Sequence, residues 1–261
     1  HSKGIDRSLH FLRLFAKKIK HKNFMIKRFD DLKQLNKTIN TFEERYGKIG
    51  GNPRYCLECV FLKAAAEEKK KPLWKFIYDS FNYTGKIKMP MPVGNCIGGG
   101  MHSKKVRNKK PDFQEFLIIP KEKTFSKAVT KNIHAYEKAK HLLKKKDRAW
   151  SRFGFRDKSR TNDEGAWKTS LKNEEVLEIL KELKKQYKIR IGIDAAASSF
   201  FDEGYYKYKN KKLIRDRTEQ IDFMETIIDK YGLFYIEDPL NESDFSGFLS
   251  LRKSIKKKRF M

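Results

Sequence analysis

Two stretches of this chain place apolar residues directly ahead of an acid: IRIGID at 189–194 and LFYIED at 233–238. In the first, Ile189, Ile191 and Ile193 alternate with the period of a strand and stop at Asp194. In the second, the apolar run 233–236 stops at Glu237, and Pro239 bars its continuation. Between them Ile221, Met224, Ile228 and Tyr231 recur at helical spacing. A strand, a helix and a second strand close up as a right-handed crossover, which brings both strand ends to one edge of a sheet. Neighbouring strands lie about 5 Å apart, so the two carboxylates can meet.

The alternation extends upstream. FQEFLIIP at 113–120 reads as a strand ended by a proline, and Phe125, Val129, Ile133, Tyr136 and Leu143 define an amphipathic helix over 124–145. A loop carrying NDEGAW at 162–167 leads to a helix that Asn173 can cap, with Glu174 and Glu175 in its first turn. The buried stripe of that helix is Val176, Leu180, Leu183 and Tyr187. This order predicts an α/β fold of parallel strands covered by helices. Residues 1–88 read differently. They are lysine-rich, with helices near 5–20 and 29–46, a turn at 47–53, the helix CLECVFLKAAAEE and a short helix after Pro72. KMPMPVGNCIGGGMH at 88–102 marks the boundary, giving a helical region at 1–88 and an α/β region at 89–261.

Composition narrows the class. The net charge of +27 allows a nucleic-acid or anionic-membrane partner, but the lysines are spread, with short runs at 69–71, 144–146 and 256–258, and no zinc-finger spacing occurs. A lysine-rich surface is the favoured reading, and a basic nucleic-acid-binding protein is the alternative. Three cysteines are too few for a disulfide scaffold; Cys56 and Cys59 read as small core residues of a helix. No apolar run reaches membrane-spanning length, and a reduced, cytoplasmic location is expected. The first residue is His1, and both ends read as cut.

Asp194 and Glu237 therefore end neighbouring strands, and the NDEG loop brings Asp163 and Glu164 to the same mouth. Hard carboxylate oxygens in such a place suit Mg²⁺. His102 follows three glycines, which permit a flexible loop or a close backbone approach, and Gln114 and Glu115 open the FLIIP strand.

At these residues the chain resembles the enolase family. GNPRYCLECVFLKAAAEEKKKPLWKFI, MPMPVGNCIGGGMHSKK with DFQEFLIIP, NDEG, IGIDAAASSFFDEGYYKY and YIEDPLNESDF carry the likeness in the family's order, across about 45–250. The resemblance implies a partial TIM barrel preceded by helices of an α+β N-terminal domain. It also implies Mg²⁺-dependent dehydration of 2-phospho-D-glycerate to phosphoenolpyruvate in glycolysis and gluconeogenesis. On it, Glu164 matches the general acid, and Asp194 and Glu237 match two of three metal ligands, with Glu237 also near substrate. His102, Gln114 and Glu115 match groups around the phosphate and hydroxyl ends of the substrate. The family's third ligand and base lysine lie beyond the IEDPL strand, so the chain alone is expected to be inactive. The full-length protein is expected to form a homodimer or higher homo-oligomer, with no membrane or nucleic-acid partner. HSKK stands where the family usually has HAGN, NDEGAW where it has a GDEGGF-like run, and SSFF where it has SEFY. These departures leave open a catalytically dead enolase-like binding protein.

Overall fold

The computed structural model describes residues 2–22, 24–81, 83, 85–106, 109–150, 160–210 and 212–255. The chain divides into two compact units, His1–Ile87 and Lys88–Met261. The lysine run at 256–258 lies outside the described residues.

The first unit is helical: α1 (Ser2–Ile19), a 3-10 turn (Phe29–Asp31), α2 (Leu32–Tyr46), α3 (Gly51–Glu68) and α4 (Leu73–Ser80). Leu35, Ile39 and Phe42 recur at three- and four-residue spacing on α2 and are buried. Phe42 meets Phe11 and Phe15 edge-on, at ring-centroid distances of 5.0 and 5.5 Å, which suits the opposed charge of ring face and rim. α3 begins at Gly51, ahead of the expected start, because Pro53 in its first turn has no hydrogen bond to lose there. The expectation of two core cysteines fails. Leu62, Ala65 and Ala66 form the buried face of α3, and the helical rotation leaves Cys56 exposed and Cys59 only partly covered.

The second unit is built on a five-stranded mixed sheet: β1 (Gly94–Gly98), β2 (Glu115–Ile119), β3 (Trp167–Lys168), β4 (Arg190–Asp194) and β8 (Tyr235–Glu237), in the order β3-β1-β2-β4-β8. Helices α5 (Phe125–Lys146), α6 (Asn173–Tyr187), α7 (Arg217–Tyr231) and α8 (Phe245–Ser254) belong to it. A separate three-stranded sheet joins β5 (Phe201–Asp202), β6 (Tyr205–Tyr208) and β7 (Leu213–Arg215). Among the described residues the five-stranded sheet does not close, so β3 and β8 are its edges.

The expected crossover is present: β4 and β8 run parallel, with α7 between them in the chain. The expectation of uniformly parallel strands fails at β2, which runs antiparallel to both β1 and β4. Among the described residues no helix lies between β1 and β2, so that connection returns as a hairpin-type pairing instead of a crossover. The apolar stripe of α5 also differs. Ala128, Ala135, Ala139, Leu142 and Leu143 are buried, whereas Phe125 and Ile133 are exposed, since small alanines let the helix lie close against its neighbours. Thr124 caps α5 by accepting from the Lys127 N–H.

Asn173 does not cap α6. It is the first helical residue, nearly fully buried, and its Oδ1 accepts the N–H groups of Asp112 and Phe113 at 2.9 and 3.2 Å. The Glu175 carboxylate instead takes the Lys172 N–H at the helix start. Asn173 thus pins the approach to β2, where two candidate site residues begin. Among the described residues no helix is long and apolar enough to cross a membrane.

Candidate active site

The reversed direction of β2 decides the site. Its first residue, Glu115, lies at the same sheet edge as the last residues of its parallel-running neighbours. Glu115 stands opposite Gly98 of β1 on one side and Asp194 of β4 on the other, and Asp194 stands opposite Glu237 of β8. Three carboxylates from three adjacent strands form one row. Sequence periodicity placed Asp194 and Glu237 there; Glu115 joins them because a strand's beginning, once reversed, meets its neighbours' ends.

Asp194 is nearly buried. Its Oδ1 accepts the Ala196 N–H at 2.9 Å and its Oδ2 accepts the Gln114 side-chain NH₂ at 3.0 Å. Glu237 accepts the Tyr235 hydroxyl at 2.9 Å. These donors fix both side chains, and each carboxylate oxygen keeps a further lone pair for a cation.

The loop after β1 brings His102. Gly99 donates its N–H to the Gln114 carbonyl at 2.9 Å, and a Cβ there would stand 2.4 Å from the Phe113 oxygen and 2.6 Å from the Pro111 oxygen. Gly100 takes φ +51. The glycines therefore permit a close approach of two backbones, which a side chain would prevent. His102 Nδ1 lies 3.3 Å from Asp163 Oδ2 and 3.5 Å from Glu164 Oε1. The ligand atoms of His102, Asp163 and Glu164 all lie within 4.8 Å of one another, close enough to share a cation.

Glu164 is held by two further partners. Asn95 of β1 donates its Nδ2–H to Glu164 Oε2 at 3.0 Å, and Glu115 shares a side-chain hydrogen bond with Glu164. A register shift between Asn95 and Ile97, the mark of a β-bulge, precedes the end of β1. Asn162 organises the NDEG turn: its Oδ1 accepts the N–H groups of Glu164 and Ala166 at 3.1 and 2.9 Å. Asn95, Asn162 and Tyr235 escaped the sequence reading; only the Asx-turn pattern around Asn162 carried a usable signal.

Burial and neighbouring negative charge raise the proton affinity of two of these acids. Burial, then the charges of Glu164 and Asp194, push the Glu115 carboxyl up to about 7. Burial and the charges of Glu237 and Asp238 push Asp194 up to about 6, against hydrogen bonds that favour its ionised form. The raised carboxyl thus sits on Glu115, and Glu164 is bonded to it. Among the described residues no cation pairs with Glu115, Asp194 or Glu237. Hard oxygen donors with uncompensated charge fit a divalent ion.

Residues 86–261 match the family described as Enolase, C-terminal TIM barrel domain. The chain belongs to the enolase family. It is 32% identical over 263 residues to an enolase of Picrophilus torridus, covering 97% of this chain and 60% of that protein. An enolase of Archaeoglobus fulgidus is 36% identical over 232 residues, covering 86% of the chain and 52% of the relative. For an enolase of Pyrobaculum aerophilum the identity is 34% over 220 residues, with coverages of 82% and 49%. The chain spans about half the length of the enolases it matches. The α/β class and the barrel-type sheet of an enolase C-terminal domain are therefore those of this chain.

Proposed function

We propose that the whole protein dehydrates 2-phospho-D-glycerate to phosphoenolpyruvate with Mg²⁺, and that this chain carries the acid and two metal-holding carboxylates. Residues 1–88 are then a helical remainder of the enolase N-terminal domain and 89–261 the first half of the barrel. The observation that carries this reading is the hydrogen-bonded pair Glu115–Glu164, adjoining the row that contains Asp194 and Glu237.

Loss of hydroxide from C3 needs a carboxylic acid that keeps its proton near neutral pH. Glu115 is held up to about 7, and Glu164 beside it is positioned by Asn95 and His102. In this reading the proton passes through Glu164 to the departing hydroxyl and is replaced from Glu115. Gln114 orients Asp194 and so acts on the metal-binding side. Asp194 and Glu237 would hold Mg²⁺, which when bound supplies positive charge against the charge that builds on the substrate carboxylate. The base that takes the C2 proton is not assigned to any lysine of this chain, so the chain alone has no turnover.

The test is the rise in ultraviolet absorbance of phosphoenolpyruvate made by the full-length protein. Turnover that disappears with a chelator, falls about 10²-fold or more in Glu164→Gln, and is absent from the isolated chain is the expected result. Full-length protein without turnover, or turnover indifferent to magnesium, would overturn the reading.

A further inference from the structure

Residues of the loop after β1 and of the turn between β6 and β7 line a cavity of about 220 Å³ that the dehydration chemistry does not use. Lys105, Lys109 and Lys110 reach it from the loop, and Lys209 and Lys212 reach it from the turn, about a hundred positions further along the chain. Among the described residues its one acid is Asp112, whose Oδ1 accepts the N–H groups of Lys209 and Asn210 at 2.8 and 3.3 Å. That carboxylate is engaged in tying the turn down. Among the described residues no ion pair joins Lys105, Lys109, Lys209 or Lys212 to an acid.

Lys110 shows the cost of this arrangement. Its Nζ is bent inward, donating to the carbonyls of Gly100 and Ser103. Burial and the neighbouring charges of Lys105 and Lys209 depress its pKa below the ordinary lysine value. Two of the departures from the family's usual residues meet at this place: Lys105 of HSKK and Ser199 of SSFF. An anion lodged between the two lysine groups would relieve the repulsion and satisfy the free ammoniums. The aromatic in the wall, Phe200, is buried and offers no open face on which a nucleobase could stack.

We propose that this cavity binds a small polyphosphorylated anion, with successive phosphate groups bridging the lysines of the loop to those of the hairpin turn. Its wall at Gly100 and Met101 leads directly into His102, so an occupant ties the His102 loop to the hairpin. The site is separate from the carboxylate row and does not depend on the proposed dehydration.

The test is equilibrium dialysis of the full chain against tripolyphosphate in magnesium-free buffer at physiological salt. One saturable site per chain is expected, with orthophosphate binding more weakly. The double variant Lys105→Ser/Lys209→Ser should weaken it by about tenfold or more, since each lost phosphate contact removes a charge-assisted bond. The exposed lysines of α5 provide the control, and Lys127→Ser/Lys145→Ser, with the same change in net charge, should leave binding within about twofold. Circular dichroism confirms that both variants fold. Equal weakening in the two variants would assign the effect to overall charge and overturn the site. Absence of saturable binding, or preference for a twelve-base oligothymidine over tripolyphosphate, would overturn it as well.

Discussion

Glu115 and Asp194 stand directly opposite each other across an antiparallel pair of strands, and both are pushed to bind protons more tightly than an exposed carboxyl does. At neutral pH the folded chain therefore holds buried charge and the repulsion of neighbouring acids. Their ordinary values are 4.5 and 3.8, and the fold raises them to about 7 and about 6. Protonation accordingly stabilises the folded state, fully below about pH 4, and that stability is lost as pH rises through 6 and 7.

The first prediction follows from that sign. The metal-free chain should melt at progressively lower temperature between about pH 4 and pH 7.5. Glu115 is half-buried and Asp194 nearly buried, and after solvent screening each contributes on the order of 1–2 kcal/mol. Glu115→Gln should flatten the profile and raise the melting temperature at pH 7.5, and added Mg²⁺ should do the same for the unaltered chain. A profile that rises over this range, with Glu115→Gln following it, contradicts the assignment.

A second prediction concerns Asn173. Its Oδ1 takes two backbone N–H groups at the entrance to β2, one of them buried. Asn173→Ala strands both donors and should cost about 2–3 kcal/mol, read from urea midpoints at constant slope. Asn173→Asp retains the acceptor and should recover most of the loss. If alanine and aspartate behave alike, the side chain is not the anchor described.

The reach of sequence reasoning is set by how local each signal is. Asp194 and Glu237 were legible because strand period and strand ending are carried by adjacent residues. FQEFLIIP announced a strand without its direction, since direction is set by the pairing with β1 and β4, far away in sequence. Glu115 therefore reached the site through the family resemblance and not through its spacing. Asn95 was invisible: an asparagine within a strand declares nothing until a loop some seventy residues later delivers Glu164 beside it. Asn173 was misread because a cap and a long-range anchor use the same acceptor atom, and only the segment packed beside it, Asp112 and Phe113, decides between them.

A third prediction tests the close approach behind His102. Gly99→Ala places a Cβ 2.4 Å from the Phe113 oxygen, a backbone atom that cannot swing aside. The loop must move, at about 1–3 kcal/mol. In the full-length protein turnover should fall by about tenfold or more, while Mg²⁺ affinity, which the proposed site sets at Asp194 and Glu237, stays within about threefold. A parallel loss of affinity would mean that the disturbance spreads through Gln114 to Asp194.

The last prediction separates the proposed metal ligand, Asp194, from the residue that aims it. Asp194 offers its two oxygens to Ala196 and Gln114, each through one lone pair. Asp194→Asn removes the charge and turns an NH₂ toward one of two donors, so metal affinity should fall by more than about 100-fold. Gln114→Ala leaves the charge in place and frees the carboxylate to rotate, and should cost about 10–100-fold. Calorimetric titration of the chain with Mg²⁺ at pH 7.5 distinguishes them, and the pH profile supplies an independent sign. Without the Asp194 charge one source of repulsion on Glu115 is gone, so its titration should move down, toward the ordinary carboxyl range. With Gln114→Ala that charge remains and loses a stabilising donor, so the Asp194 carboxyl should move further up. Opposite shifts from two substitutions at one hydrogen bond are what a metal ligand and its positioning residue require, and shifts in the same direction would reject the distinction.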